Sequence, residues 1–324
     1  MRTKVVFLGT PEFACPSLSI LLGDQESYEV VGVITQPDRR AGRNLETQAS
    51  HVKQLAEAHL VRLGKLQKKF PILPLESVNT PEALKQVAAL GAEVAVVVAF
   101  GQILSTAFLK LFKFGAVNVH ASLLPRWRGA APIPWALLNE DPVTGVTLQK
   151  IAPKLDSGDI IGSYQVVLDE TYDATKLYAE LSRRGADLVQ KHLNDFVVGK
   201  IKATPQDESQ VTLAPKITKE HGKVDWKAPA SKMLTNIRAL TPWPGVWTTR
   251  EGKNLKILRA KAINHNDVSE PGYVVAMDKT NFAVQCGNNT ALLVMVVQPE
   301  SRARMPASEY LKGYPFKKGD RLGE

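Results

Sequence analysis

Two residues at the end of one short apolar run, Asn118 and His120 of Ala116–His120, stand two positions apart. If the run is a strand, both side chains point to the same side. An amide that donates N–H and an imidazole that handles a proton, presented together, are the equipment of acyl transfer. One steadies an oxygen as negative charge develops on it, and the other moves the proton. A second cluster, Leu155-Asp156-Ser157-Gly158-Asp159-Ile160, offers carboxylates. Near the imidazole, Asp156 would hold its orientation and favour its charged form. Each piece alone has a plainer reading: an Asn-x-His satisfies turn hydrogen bonds, and acids beside a glycine cap a turn.

Other chemistries find no support. The first apolar run ends in Gly9-Thr10-Pro11-Glu12-Phe13, which lacks the three spaced glycines of a dinucleotide site. There is no phosphate-cradling Gly-Lys-Ser/Thr loop. Cys15 and Cys286 are too few for a disulfide framework and form no CxxC pair, so no metal is expected. His51, His59, His192, His221 and His265 lack carboxylate or Cys partners at ligand spacing and read as surface or packing residues. The longest apolar stretch, Val94–Phe100, is far shorter than a bilayer span, and the N-terminus carries no leader pattern. A cytoplasmic protein without membrane contact is the expectation.

The elements that must position the candidate residues alternate. Strands are predicted at Val5–Leu8, Val30–Thr35, Glu93–Phe100, Ala116–His120 and Gly145–Gln149, with helices between them, such as Thr80–Leu90. Such near-continuous apolar runs suit strands covered on both faces. The fold class is therefore α/β, a doubly wound parallel sheet. Ligands bind such sheets at the carboxyl ends of the strands, where the Asn118–Ile133 stretch emerges. A long helix over 174–198 carries Leu177, Leu181, Leu188, Val189, Leu193 and Phe196 near one face, a core stripe. A polar linker is predicted over 206–218, between a domain of residues 1–205 and one of residues 219–324. The latter reads as short alternating strands, a small β-barrel.

Charge separates the two parts. The formal net charge is +9, and residues 217–324 hold 17 Lys+Arg against 10 Asp+Glu, a net of +7. A basic C-terminal third suits a polyanionic partner, most readily nucleic acid, although a solvated basic face has the same composition. Arg302, Arg304, Lys317, Lys318 and Arg321 are candidates for a phosphate-tracking patch. Trp226, Trp243 and Trp247 could stack on bases, but Trp243-Pro244-Gly245 reads better as a packed turn at a domain seam.

The block Asn118–Ile133, together with Leu155–Ile160, resembles the folate-dependent formyltransferase family. Further matching pieces are Gly9-Thr10-Pro11-Glu12-Phe13, Gln36-Pro37-Asp38-Arg39, Ala41-Gly42-Arg43, Val96–Leu104 and Trp243-Pro244-Gly245. The stretch Arg126-Trp127-Arg128-Gly129-Ala130-Ala131-Pro132-Ile133 is closest to the family's tRNA-modifying branch. The resemblance implies a Rossmann-like domain followed by an OB-like barrel that helps grip tRNA. It implies a catalytic triad of Asn118, His120 and Asp156. Folate would contact Ser122, Leu123, Leu124 and Pro125, and backbone groups of Phe100-Gly101-Gln102-Ile103-Leu104 would hold the pterin. Arg39, Arg40 and Arg43 would meet the acceptor end of the tRNA.

The implied reaction takes the formyl group of 10-formyltetrahydrofolate to the α-amine of methionyl initiator tRNA for translation initiation, with no metal and a monomeric enzyme. The alternatives are formylation of another amine, such as an amino sugar, or a non-catalytic tRNA-binding protein. The basic C-terminal third weighs against the first and the triad against the second. The sequence departs from the family after Arg43, where Asn44–Lys53 replaces paired lysines and introduces Glu46. Residues 63–74 read as a surface insertion.

Overall fold

A computed structural model describes residues 2–41, 46–63, 69–266 and 269–323. They form two compact units. One comprises Met1–Pro132, Val143–Val167 and Tyr178–Ala214, and the other Ile133–Pro142, Leu168–Leu177 and Pro215–Glu324.

The strands of the first unit are β1 (Thr3–Gly9), β2 (Tyr28–Thr35), β3 (Arg39–Ala41), β4 (Glu46–Gln48), β5 (Ile72–Pro74), β6 (Val94–Val98), β7 (Ala116–His120), β8 (Arg128–Gly129), β9 (Val143–Lys150), β10 (Ile160–Val167) and β11 (Leu213–Ala214). Seven make one sheet in the order β10-β9-β7-β6-β1-β2-β5. Val5, Val6, Phe7 and Leu8 of β1 are wholly buried, each contributing roughly 1.5–3 kcal/mol of apolar burial. The expected parallel arrangement holds for β7, β6, β1, β2 and β5. It fails for the strand predicted at Gly145–Gln149: β9 runs antiparallel to β7, and β10 antiparallel to β9. Loop length accounts for the second pair: residues 151–159 are fewer than the dozen or so that a parallel crossover needs, so β9 and β10 close as a hairpin. The 121–142 connection from β7 to β9 is long enough for either direction.

The helices up to residue 197 are α1 (Cys15–Gly23), α2 (His51–Leu63), α3 (Pro81–Ala89), α4 (Thr106–Leu109), α5 (Pro132–Leu138) and α6 (Ala174–Val197), of which α5 beyond Pro132 and the first turn of α6 belong to the second unit. Thr80 caps α3 by accepting a 3.2 Å hydrogen bond from Ala83 N, which satisfies one of the helix's orphan donors. The α6 stripe is core: Leu177, Leu181, Leu188, Val189 and Leu193 are buried. Gly185 of α6 lies so close to Val119 that a Cβ there would collide with the Val119 side chain. The helix thus covers one face of β7, and Asn118 and His120 point to the other.

The second unit holds α7 (Ala230–Leu240), β12 (Val246–Arg250), β13 (Lys253–Asn264), β14 (Val274–Met277), β15 (Phe282–Gln285), β16 (Thr290–Pro299), β17 (Met305–Pro306) and α8 (Ala307–Gly313). Its antiparallel order is β12-β13-β16-β15-β14, with β17 on β16. The C-terminal tail bridges the two edge strands: Val274 N donates to Asp320 O at 2.8 Å, and Gly323 N to Thr249 O at 2.8 Å. The expected small barrel is therefore completed by a segment that has no strand pattern of its own. Phe282, Val284, Leu292, Val294, Tyr310 and Phe316 fill it. Helix α7 was not expected from the sequence. Trp226 and Trp247 are buried, which removes them as stacking platforms, whereas Trp243 is 57% exposed rather than packed.

Candidate active site

Strand pairing places four polar side chains on one face. Asn118 lies opposite Gln149, and His120 opposite Thr147. Directly opposed residues of an antiparallel pair share a face, so β7 and β9 together present an amide, an imidazole, a hydroxyl and a second amide. Thr147 and Gln149 are buried polar residues, as is Thr144 of the same strand. Polar residues in a predicted strand are the sequence signal by which they could have been found.

The imidazole of His120 is buried, hydrogen-bonded at one nitrogen and facing a carboxylate with the other. Nε2 lies 2.9 Å from Trp127 O. A carbonyl only accepts, so Nε2 carries the proton and Nδ1 is the variable position. Nδ1 faces Asp156 Oδ2 at 3.7 Å. Trp127 reaches this position with φ +62, a left-handed backbone unusual for a bulky residue. Strain of that kind is kept only where the surroundings enforce it. Here Trp127 N is held 2.9 Å from Thr212 Oγ1.

Asp156 is also left-handed, with φ +45. Its carboxylate accepts from Gly129 N at 2.9 Å and from Gln149 Nε2 at 3.2 Å. Gly129 has φ +126, and a Cβ there would stand 2.6 Å from Ala214 O, so β8 and β11 pair closely only with glycine at this position. Asn118 is half-buried, and its side-chain amide has no hydrogen-bond partner among the described residues. The site therefore contains one donor free for a ligand beside one locked imidazole.

The expected folate segment folds tightly. Ser122 is fully buried, and its hydroxyl donates to Arg126 O at 2.6 Å. Thr147 Oγ1 donates to Ser122 O and accepts from Leu124 N. Leu124 is buried, while Leu123 and Pro125 are half-buried. This stretch can offer a ligand shape and main chain, but not the serine hydroxyl.

The Phe100–Leu104 loop sits where the chain order switches sides of β1, the usual ligand crevice of such sheets. Phe100 O accepts from Thr10 Oγ1 and Gln36 Nε2, which ties the ends of β6, β1 and β2 together. Gln102 is braced by Val78 N and Leu75 O. Ile103 is 83% exposed, and Gly101 is exposed. The main-chain groups of Gly101 and Gln102 have no partner among the described residues. An apolar wall beside free main-chain donors and acceptors fits a flat heterocycle with polar edges.

Arg39 is exposed and pairs at 3.2 Å with exposed Glu76, a contact worth little in water. Arg43 lies outside the described residues, as does the side chain of Arg40. Lys65 and Lys68 of the 63–74 stretch lie outside them too. Arg302, Arg304, Lys317, Lys318 and Arg321 are all exposed. Among the described residues no group of acids, histidines and cysteines could hold a metal, and no helix is long and apolar enough to cross a membrane.

A Rossmann-like sheet, with an amide–imidazole–carboxylate set on one strand face and a barrel attached, defines a group-transfer enzyme of the formyl transferase type. The chain matches the family pattern described as formyl transferase over residues 3–193, and formyl transferase, C-terminal domain, over residues 216–315. It belongs to the formyl transferase family. The methionyl-tRNA formyltransferase of Bdellovibrio bacteriovorus is 47% identical, with 99% of each chain covered. That of Bacillus subtilis is 40% identical over 99% of this chain and 98% of its own. Among solved structures, HypX from Aquifex aeolicus in complex with tetrahydrofolic acid superposes with a TM-score of 0.62 at 17% identity. The match covers 100% of this chain and 51% of that one. WlaRD, a sugar 3N-formyl transferase, gives 0.63 at 17% identity over 94% and 100%. At such identities these two likenesses are likenesses of fold.

Proposed function

We propose that this chain transfers the formyl group of 10-formyltetrahydrofolate to the α-amine of methionyl initiator tRNA. The observation that carries the chemistry is the unpartnered amide of Asn118 on the same strand face as an imidazole locked between Trp127 O and Asp156. The nature of the acceptor rests on the relatives named methionyl-tRNA formyltransferase and on the basic charge of residues 217–324.

The co-substrate supplies a one-carbon unit at the carbonyl oxidation level, on a nitrogen that can leave. Residues 100–104 and 122–125 hold it by shape and main-chain contacts. Asn118 Nδ2 donates to the carbonyl oxygen as the amine attacks, and so stabilises the charge that develops there. His120 acts through Nδ1, since Nε2 is committed to a carbonyl. As an imidazolium it would add a positive charge beside that oxygen. Asp156, held by Gly129 N and Gln149 Nε2, keeps the ring oriented, and the proton given up by the attacking amine passes by way of Asp156 to the departing folate nitrogen. A free α-amine titrates near pH 7.7–8.0, so the site must also accept a proton from much of the bound substrate.

Residues 219–324 grip the tRNA body, joined to the catalytic residues 1–205 through 206–218, and Arg39, Arg40 and Arg43 approach the acceptor end. The enzyme acts as a monomer in the cytoplasm. The test is radiolabelled formyl transfer to charged initiator tRNA, charged elongator tRNA and free amino sugars, side by side. Label on the initiator-bound methionine supports the proposal. Label on an amino sugar alone, or on none of the three, refutes it.

A further inference from the structure

We infer that Gln206 is a positioning residue for this reaction, and that residues 127–129, with Arg128 acting through it, set the place of Asp156 against His120. The inference rests on the site reading above and adds a residue far from it in sequence. The segment carrying Gln206 reads as linker, yet its side chain makes five polar contacts. Nε2 donates to Asp156 O at 2.8 Å and to Gly158 O at 2.7 Å, and shares one of these hydrogens with Gln149 Oε1 at 3.2 Å. Oε1 accepts from Arg128 Nε at 2.9 Å and from Arg128 Nη2 at 2.7 Å.

Arg128 is only 1% exposed, so a buried guanidinium orients the amide. Its Nη2 is also held at 2.6 Å by Glu208, whose carboxyl is drawn down to about 2 by that bond and by Lys154. The partner is therefore ionised at any working pH.

The connections close on three consecutive residues. Trp127 O fixes the His120 ring, Gly129 N holds the Asp156 carboxylate, and the Arg128 side chain reaches the Asp156 backbone through Gln206. His120 and Asp156 are thus both referenced to one short segment, and their 3.7 Å separation follows from it. A left-handed aspartate at φ +45 needs such bracing. Misplacing a reacting group by about 1 Å can lower a rate about 10²-fold.

Gln206→Glu isolates the effect. It keeps an oxygen for Arg128 but turns a second oxygen toward the oxygens of Gln149, Asp156 and Gly158. In the full-length enzyme, kcat for formyl transfer to charged initiator tRNA should fall about 10²-fold, with both KM values changed less than about threefold. Asp156→Asn/Gln206→Glu should be no more than about twofold slower than Asp156→Asn alone, because the two act as one unit. Near-wild-type kcat in Gln206→Glu, a loss confined to KM, or losses that multiply in the double variant would overturn the inference. If Gln206→Glu does not fold, Arg128→Lys replaces it in the same cycle, keeping a cation for Glu208 while losing the fork on Gln206. Wild-type turnover in Asp156→Asn would instead sink the site reading itself, and this inference with it.

Discussion

Replacing Asn118 with alanine separates a catalytic amide from a structural one. The Asn118 side chain has no hydrogen-bond partner among the described residues, so truncating it orphans no buried group. It lies on the face of β7 that α6 does not cover, and truncation leaves no sealed cavity. The expected loss of stability is therefore under about 1 kcal/mol. Removing one donor from a developing oxyanion costs about 10²–10³ in kcat, or roughly 2.7–4 kcal/mol of transition-state stabilisation. His120→Ala provides the contrast. It removes the 2.9 Å hydrogen bond between Nε2 and Trp127 O together with a buried ring, and should lower stability by about 1–3 kcal/mol in addition to its kinetic effect. The assay is single-turnover formyl transfer with charged initiator tRNA, alongside urea unfolding and folate binding by fluorescence. Asn118→Ala should fold and bind folate as the parent does while losing turnover. A variant that unfolds early with its residual rate intact, or one that turns over normally, would refute the reasoning.

Gly129→Ala should destabilise the protein by about 1–3 kcal/mol, because φ +126 and a Cβ 2.6 Å from Ala214 O are both unfavourable; urea midpoints check this. It should also slow turnover, since the N–H it displaces holds Asp156. Glu208 has its carboxyl held at about 2 by Arg128 and Lys154. A lowered folded-state value means stability that is complete above the ordinary carboxylate range near pH 4.3 and lost as pH falls toward 2. Urea midpoints from pH 5 to 2 should therefore fall more steeply for the parent than for Glu208→Gln, and parallel curves would contradict the assignment. Arg43→Ala should raise KM for charged tRNA and reduce the salt dependence of binding while leaving kcat unchanged; an unchanged response to tRNA concentration would remove Arg43 from the interface.

The strand carrying Asn118 and His120 was legible because its apolar run, its ending and its polar pair all agree, and Ala116–His120 is the observed β7. The direction of β9 was not legible. An apolar strand looks the same whichever way it runs, and the 121–142 connection from β7 permits either direction; the short 151–159 connection fixes only that β10 returns antiparallel along β9. Helix α7 was missed because Thr235, Asn236 and Ile237 weaken its helical signal. The barrel's closure was invisible for a related reason: residues 319–323 pair by main-chain hydrogen bonds, and Leu322 is the one apolar side chain among them that enters the core. The supports of Asp156 were hidden most completely. Gln206 lies in a polar, proline-flanked stretch, and its value comes from where Arg128 and Gly158 happen to meet it. Thr147 and Gln149 were visible as polar residues in a predicted strand, but not what they face. The roles of Arg39 and Arg43 depend on a nucleic acid that the sequence can suggest only by charge.

The most direct test of the site is a crystal structure of the enzyme with a non-transferable analogue of formyl tetrahydrofolate. The analogue's carbonyl oxygen should lie about 2.7–3.1 Å from Asn118 Nδ2, with the pteridine against residues 100–104 and the His120 ring beside the carbonyl. An analogue bound in another cleft, or with its carbonyl turned away from Asn118 and His120, would contradict that placement.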